Sequence, residues 1–171
     1  MIESRADNAS RFIKSAAPTA LGVFGVILLA SPIRLFEGAM PTPLLPLVVV
    51  YFWSIYSPAH LPAFGVFVIG LCHDLLAGGP IGLWPLIYLT VSFVVSTQRP
   101  YFQGREQRVV WLGFTIASLI AGLMLWLSSS LLAGALLPIT PLALQLAATI
   151  ALYPVIAALF VELHGRVIVE A

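Results

Sequence analysis

A chain of 171 residues that is 60% hydrophobic and only 9% charged is not an ordinary soluble domain, where about a quarter of the residues carry charge. The net charge of +1 gives no electrostatic case for nucleic acid. The single cysteine, Cys72, excludes an internal disulfide and any multi-cysteine metal cluster; inside an apolar run it reads as a small buried hydrophobe.

The chain opens with a basic stretch, Arg5, Arg11 and Lys14, ahead of an apolar segment from Pro18 to Ile33. A cleaved signal peptide would want small residues at the last and third-last positions before the cut. Ala30 fits but Leu28 does not, so this segment is expected to be a retained first span. Five more apolar segments follow, punctuated by charges and by proline and glycine clusters: Leu44 to Tyr56, Leu61 to Ala77, Ile81 to Thr97, Val109 to about Leu132, and Ile139 to Phe160. A span wants roughly 20 residues. The second to fourth fall short unless their flanks are included, so the second and third could be a pair of spans or a re-entrant hairpin; two spans are expected.

Continuous apolar runs such as Leu47-Val48-Val49-Val50-Tyr51-Phe52-Trp53 exclude the alternation of a membrane barrel, and helices satisfy their own backbone in lipid. The expected fold is an all-α polytopic membrane bundle of about six transmembrane helices. It comprises a short cytoplasmic tail over 1–17, a transmembrane domain over 18–165 and a cytoplasmic tail over 166–171. Basic residues favour the cytoplasmic side. With the N-terminus inside, Arg5, Arg11, Lys14, Arg99, Arg105, Arg108 and Arg166 fall inside and only Arg34 outside, which places both termini in the cytoplasm. Trp53, Tyr56, Tyr101 and Trp111 fall near span ends, where amphipathic rings favour the interface.

The informative stretch is Gly70 to Gly82. Asp74 is an acid set well inside an apolar block, a functional candidate by default at membrane depth. Two readings stay open. Asp74 can accept from the unpaired N–H groups at the start of the next helix, with Pro80 in its first turn, and so clamp the corner. Alternatively it contacts a ligand or partner directly. His73 beside it invites a proton-relay or metal reading, but adjacent helical residues point about 100° apart, and neither His60 nor His164 completes a metal-ligand spacing. Gly78, Gly79, Pro80 and Gly82 read as a tight turn and not a phosphate loop. No G-x-S-x-G, H-E-x-x-H or Walker-type loop occurs. No enzyme, cofactor or metal is therefore expected.

Gln145 is expected to hydrogen-bond between helices. The basic loop bearing Arg99, Arg105 and Arg108 reads either as a topology signal beside anionic lipid headgroups or as a docking patch for a cytoplasmic partner. Small residues recur at Gly113, Ala117 and Ala121, and at Ala143, Ala147 and Ala151, a spacing that lets helices approach closely.

Three of these features together resemble the rod-shape-determining MreD family: the proline-rich entry Pro41-Thr42-Pro43-Leu44-Leu45-Pro46 leading to Tyr51-Phe52-Trp53, the pattern from Gly65 through Asp74-Leu75-Leu76 to Pro80-Ile81-Gly82, and the layout of about six spans with short termini. The Cys72-His73 pair has no counterpart in that pattern. The resemblance implies a non-enzymatic component of the bacterial inner membrane within the cell-elongation complex, scaffolding peptidoglycan synthesis. Its implied partners, besides membrane lipids, are MreC, the actin-like MreB, and RodA with its transpeptidase. The family is also similar to the substrate-binding membrane subunits of vitamin transporters. That leaves small-molecule capture, with Asp74 and His73 in an outward-facing pocket, as the alternative function.

Overall fold

The computed structural model describes residues 17–30 and 42–168, with side chains described to residue 159. The N-terminal stretch with Arg5, Arg11 and Lys14, the stretch with Arg34 and Pro41, and the side chains of His164 and Arg166 lie outside the described residues. Among the described residues there are seven helices and no strand: α1 (Ala17–Ala30), α2 (Leu45–Tyr56), α3 (Ala63–Ala77), α4 (Leu83–Thr97), α5 (Arg99–Phe102), α6 (Gln107–Ala133) and α7 (Thr140–Ile168). The six apolar segments each become a helix. α5 is the addition, a single turn inside the basic stretch that was expected to be loop, started by Pro100 in its first turn. By length and composition α6 and the Thr140–Leu159 part of α7 are long and apolar enough to cross a membrane, while α1 to α4 are shorter apolar helices.

α2 is the axis of the bundle. Ten of its twelve residues, from Pro46 to Ile55, are buried, and it packs against α4, α5, α6 and α7, with α1 closing on its start where Gly25 meets Leu45. A helix that is apolar all round is a core helix. Tyr51 sits at the crossing: its ring meets Phe114 of α6 edge-on at 5.1 Å and Tyr153 of α7 at 5.7 Å, and its hydroxyl donates to the Val110 carbonyl at 2.8 Å. Trp53, expected at the interface, is instead buried in this core, because α2 has neighbours on every side.

Twelve residues make a helix only about 18 Å long, so the ends of α2 lie among other helices and need partners there. Thr149 Oγ1 accepts from the Leu44 N–H at 2.9 Å, and Gln145 Nε2 donates to the Thr42 carbonyl at 3.0 Å. At the other end Arg99 Nε donates to the Ile55 carbonyl at 2.9 Å. α7 thus seals the entry of α2, and the first residue of α5 seals its exit.

α7 carries Pro154 in its interior. Proline has no N–H, so the carbonyl four residues back, on Ile150, loses its helical donor. Trp111 of α6 supplies one: its indole Nε1 donates to the Ile150 carbonyl at 2.9 Å. Trp111, expected at a membrane interface, is therefore also a bridge between α6 and α7. Trp111→Phe should lower stability in detergent by about 1 kcal/mol, the size of an interhelical hydrogen bond in a membrane protein. In a Pro154→Ala background, where Ile150 regains its helical donor, the same substitution should cost almost nothing. Thermal unfolding of the four proteins checks this, and equal losses in both backgrounds would refute it.

Candidate functional site

α3 and α4 are joined by the residues 78–82 and pack closely along their length. The turn between them demands two left-handed residues, Gly78 at φ 67° and Gly82 at φ 102°, a conformation that glycine adopts without penalty. Gly78 ends α3, its N–H bonded back to the Asp74 carbonyl at 3.0 Å, as glycine commonly does past a helix C-terminus. Gly82 begins α4 and carries no side chain to cap it. Asp74 supplies the missing cap from the neighbouring helix. Its carboxyl oxygens accept from the Gly82 N–H at 2.5 Å and the Trp84 N–H at 3.1 Å, two of the unpaired donors that open a helix. Pro80 lies in the turn ahead of α4 and not in its first turn, because the helix starts at Leu83. Gly79 and Pro80 are exposed.

His73 and Asp74 are 2% and 1% exposed, and the two side chains serve different parts of α4. His73 Nδ1 lies 2.7 Å from the Tyr88 hydroxyl, and its ring stacks on Trp84 with centroids 3.9 Å apart. Trp84 and Tyr88 are one helical turn apart and so present one face to α3. Gly70, a turn before Asp74, allows the close approach: a Cβ there would come within 2.4 Å of the Pro85 backbone nitrogen. The sequence reading missed Trp84 and Tyr88, and it included Gly70 without its part in the close approach. The signal available was their spacing, since Gly70, His73 and Asp74 occupy positions i, i+3 and i+4 of one face.

Chemically the corner is a set of bonds between two helices. Among the described residues no three His, Cys, Asp or Glu side chains come close enough to hold a metal ion. Cys72 is a partly buried free thiol. In the basic stretch the three arginines divide: Arg99 is half-buried against Ile55, whereas Arg105 and Arg108 are exposed. The guanidinium of Arg105 lies 5.3 Å from the centre of the Tyr101 ring, within cation–π range. Gln145 bonds to the backbone ahead of α2. The small residues also find neighbours: Gly113 lies against Phe102 and Tyr51, and Gly122 against Leu146 of α7.

Asp74→Ala leaves two helix-opening N–H groups without an acceptor and should cost about 2 kcal/mol, lowering the amount of protein in membranes. Asp74→Asn keeps one acceptor and should fall between. Immunoblots of membrane fractions and unfolding in detergent read both; an Asp74→Ala protein as stable as the parent would remove the clamp.

Asp74, Arg99, Gln145 and Thr149 are thus bonded to the backbone of neighbouring segments, and comparison with known proteins bears on what kind of helical bundle this is. No curated protein and no solved structure matches the chain. One family model does, over residues 13–163, and its description is rod shape-determining protein MreD. That match covers most of the chain, so the protein belongs to the MreD family and is a membrane protein concerned with determining rod shape.

Proposed function

We propose that this chain is a non-enzymatic, multi-pass component of the bacterial inner membrane that scaffolds peptidoglycan synthesis in the cell-elongation complex, chiefly by binding MreC. The observation that carries this reading is the family match over residues 13–163, joined to a body in which Asp74 and Thr149 close helix starts. About six spans with both termini in the cytoplasm agree with the distribution of arginine and lysine along the sequence. The wider complex would include MreB, RodA and its transpeptidase.

A single-span partner needs a surface, and the outer side of the α6–α7 pair offers one. Gly122 of α6 with Ala143 and Ala147 of α7 line an apolar groove of about 390 Å³, with Trp126 beside them. Ala143 and Ala147 are exposed, and small exposed residues let a second helix lie close. The alternative, capture of a small molecule at Asp74 and His73, has less support. Both side chains are buried against α4 and bonded to it.

In a rod-shaped host, depletion should round the cells, and co-purification from mild detergent should recover MreC with the chain. Ala147→Trp should abolish that recovery while membrane levels stay unchanged. Rod-shaped depleted cells with normal wall insertion would overturn the reading. A bound vitamin-sized molecule, with uptake lost on Asp74→Asn, would favour capture instead.

A further inference from the structure

A second groove lies on the opposite side of α6, where it meets α4 and α5. It encloses about 240 Å³ and is lined by apolar groups of Val94, Ile116, Ala117 and Ile120, with Gln98 and Tyr101 also on its wall. It exists because α6 presents Gly113 and Ala117 on successive turns. At Gly113 a Cβ would sit 2.5 Å from the Phe102 ring and 2.6 Å from the Tyr51 hydroxyl, so the floor has no room for a side chain. The groove runs from Gly113 to Ile120, about 10 Å along the helix. A volume of about 240 Å³ over that length is on the scale of a stretch of acyl chain.

One end of this slot is marked by charge. Tyr101 lines it, and the exposed guanidinium of Arg105 lies over the Tyr101 ring, 5.3 Å from its centre. The stretch from 99 to 108 holds three arginines against one glutamate, Glu106. Arg99 is half-buried with its Nε on Ile55, and of the two exposed arginines it is Arg105 whose guanidinium stands on the slot-lining Tyr101 ring. Its occupant must be apolar along its length and anionic at one end.

We propose that the α4–α5–α6 groove holds one acyl chain of an anionic phospholipid whose phosphate is met by Arg105. Tyr101 holds the guanidinium in place through its ring, Gln98 faces the glycerol region, and Val94, Ile116 and Ile120 flank the chain. This differs from general attraction of basic loops to anionic membranes, since it requires one arginine and one groove together. It does not depend on any wall-synthesis partner.

The test is native mass spectrometry of the full chain, purified in detergent after exposure to vesicles of equal phosphatidylglycerol and phosphatidylcholine. The expected result is one retained phosphatidylglycerol per chain, favoured over phosphatidylcholine. Arg105→Gln should reduce retention about tenfold, the loss of one charge-assisted hydrogen bond to the phosphate. Tyr101→Leu should act in the same direction. Ile116→Trp, which fills the slot from an exposed position, should abolish retention. Arg108→Gln makes the same charge change and should alter retention less than twofold. Equal losses from Arg105→Gln and Arg108→Gln would overturn the site in favour of diffuse attraction. Equal retention of the two lipids, or an unaffected Ile116→Trp, would overturn it as well. Unfolding in lipid-free detergent shows that each variant is folded when scored.

Discussion

The constraint on which this structure depends is that a backbone N–H or C=O away from water must find a partner inside the protein. A long helix meets that demand for itself along its length and leaves its ends at the interface. α2 has twelve residues, about 18 Å of helix, against a hydrocarbon layer about 30 Å thick. Its end groups are met by side chains from distant parts of the chain: Thr149 and Gln145 at the entry, Arg99 at the exit. The short central helix thereby fixes where α7 and α5 must lie. Removing one of those side chains would leave a buried backbone group unpaired, which costs more than the bond itself contributes.

The same demand explains several polar features elsewhere. Asp74 closes the start of α4, whose own cap position is a glycine. Trp111 closes the carbonyl that Pro154 leaves open in α7. Trp126 donates to the Leu137 carbonyl at 2.9 Å and Ser130 Oγ accepts from the Leu137 N–H, so the turn between α6 and α7 is held by α6 itself. Each of these residues would look functional in a sequence because it is polar or amphipathic among apolar neighbours. Each is accounted for by a backbone atom within hydrogen-bond distance.

Helix identity and order were legible because apolar runs bounded by proline, glycine and charge leave few alternatives in lipid. A carboxyl of Asp74 facing the next helix start was one of the two readings the sequence left open, since the acid and the Gly-Gly-Pro turn are close in sequence. The bonds to Thr42, Leu44 and Ile55 were not legible. They join residues separated by 103, 105 and 44 positions, and no local pattern reports which helices become neighbours. Trp53 was misplaced for the same reason: its position near a span end suggests the interface, but tertiary neighbours on all sides of α2 decide its burial. Pro80 was expected inside α4, yet the left-handed Gly82 delays the helix until Leu83.

These uses of polar side chains bear on function. A membrane enzyme or carrier keeps several polar groups directed at a shared cavity, because only groups free to meet a substrate can act on it. In this chain Asp74, Thr149, Gln145 and Arg99 are directed at backbone, and His73 at Tyr88. Two outward-facing grooves are mainly apolar and floored by small residues, Gly122 with Ala143 and Ala147 in one and Gly113 with Ala117 in the other. A packed interior with apolar grooves on its surface is suited to holding other hydrophobic molecules in register. That is the property a shape-determining membrane protein needs if it acts by assembling partners and not by chemistry of its own.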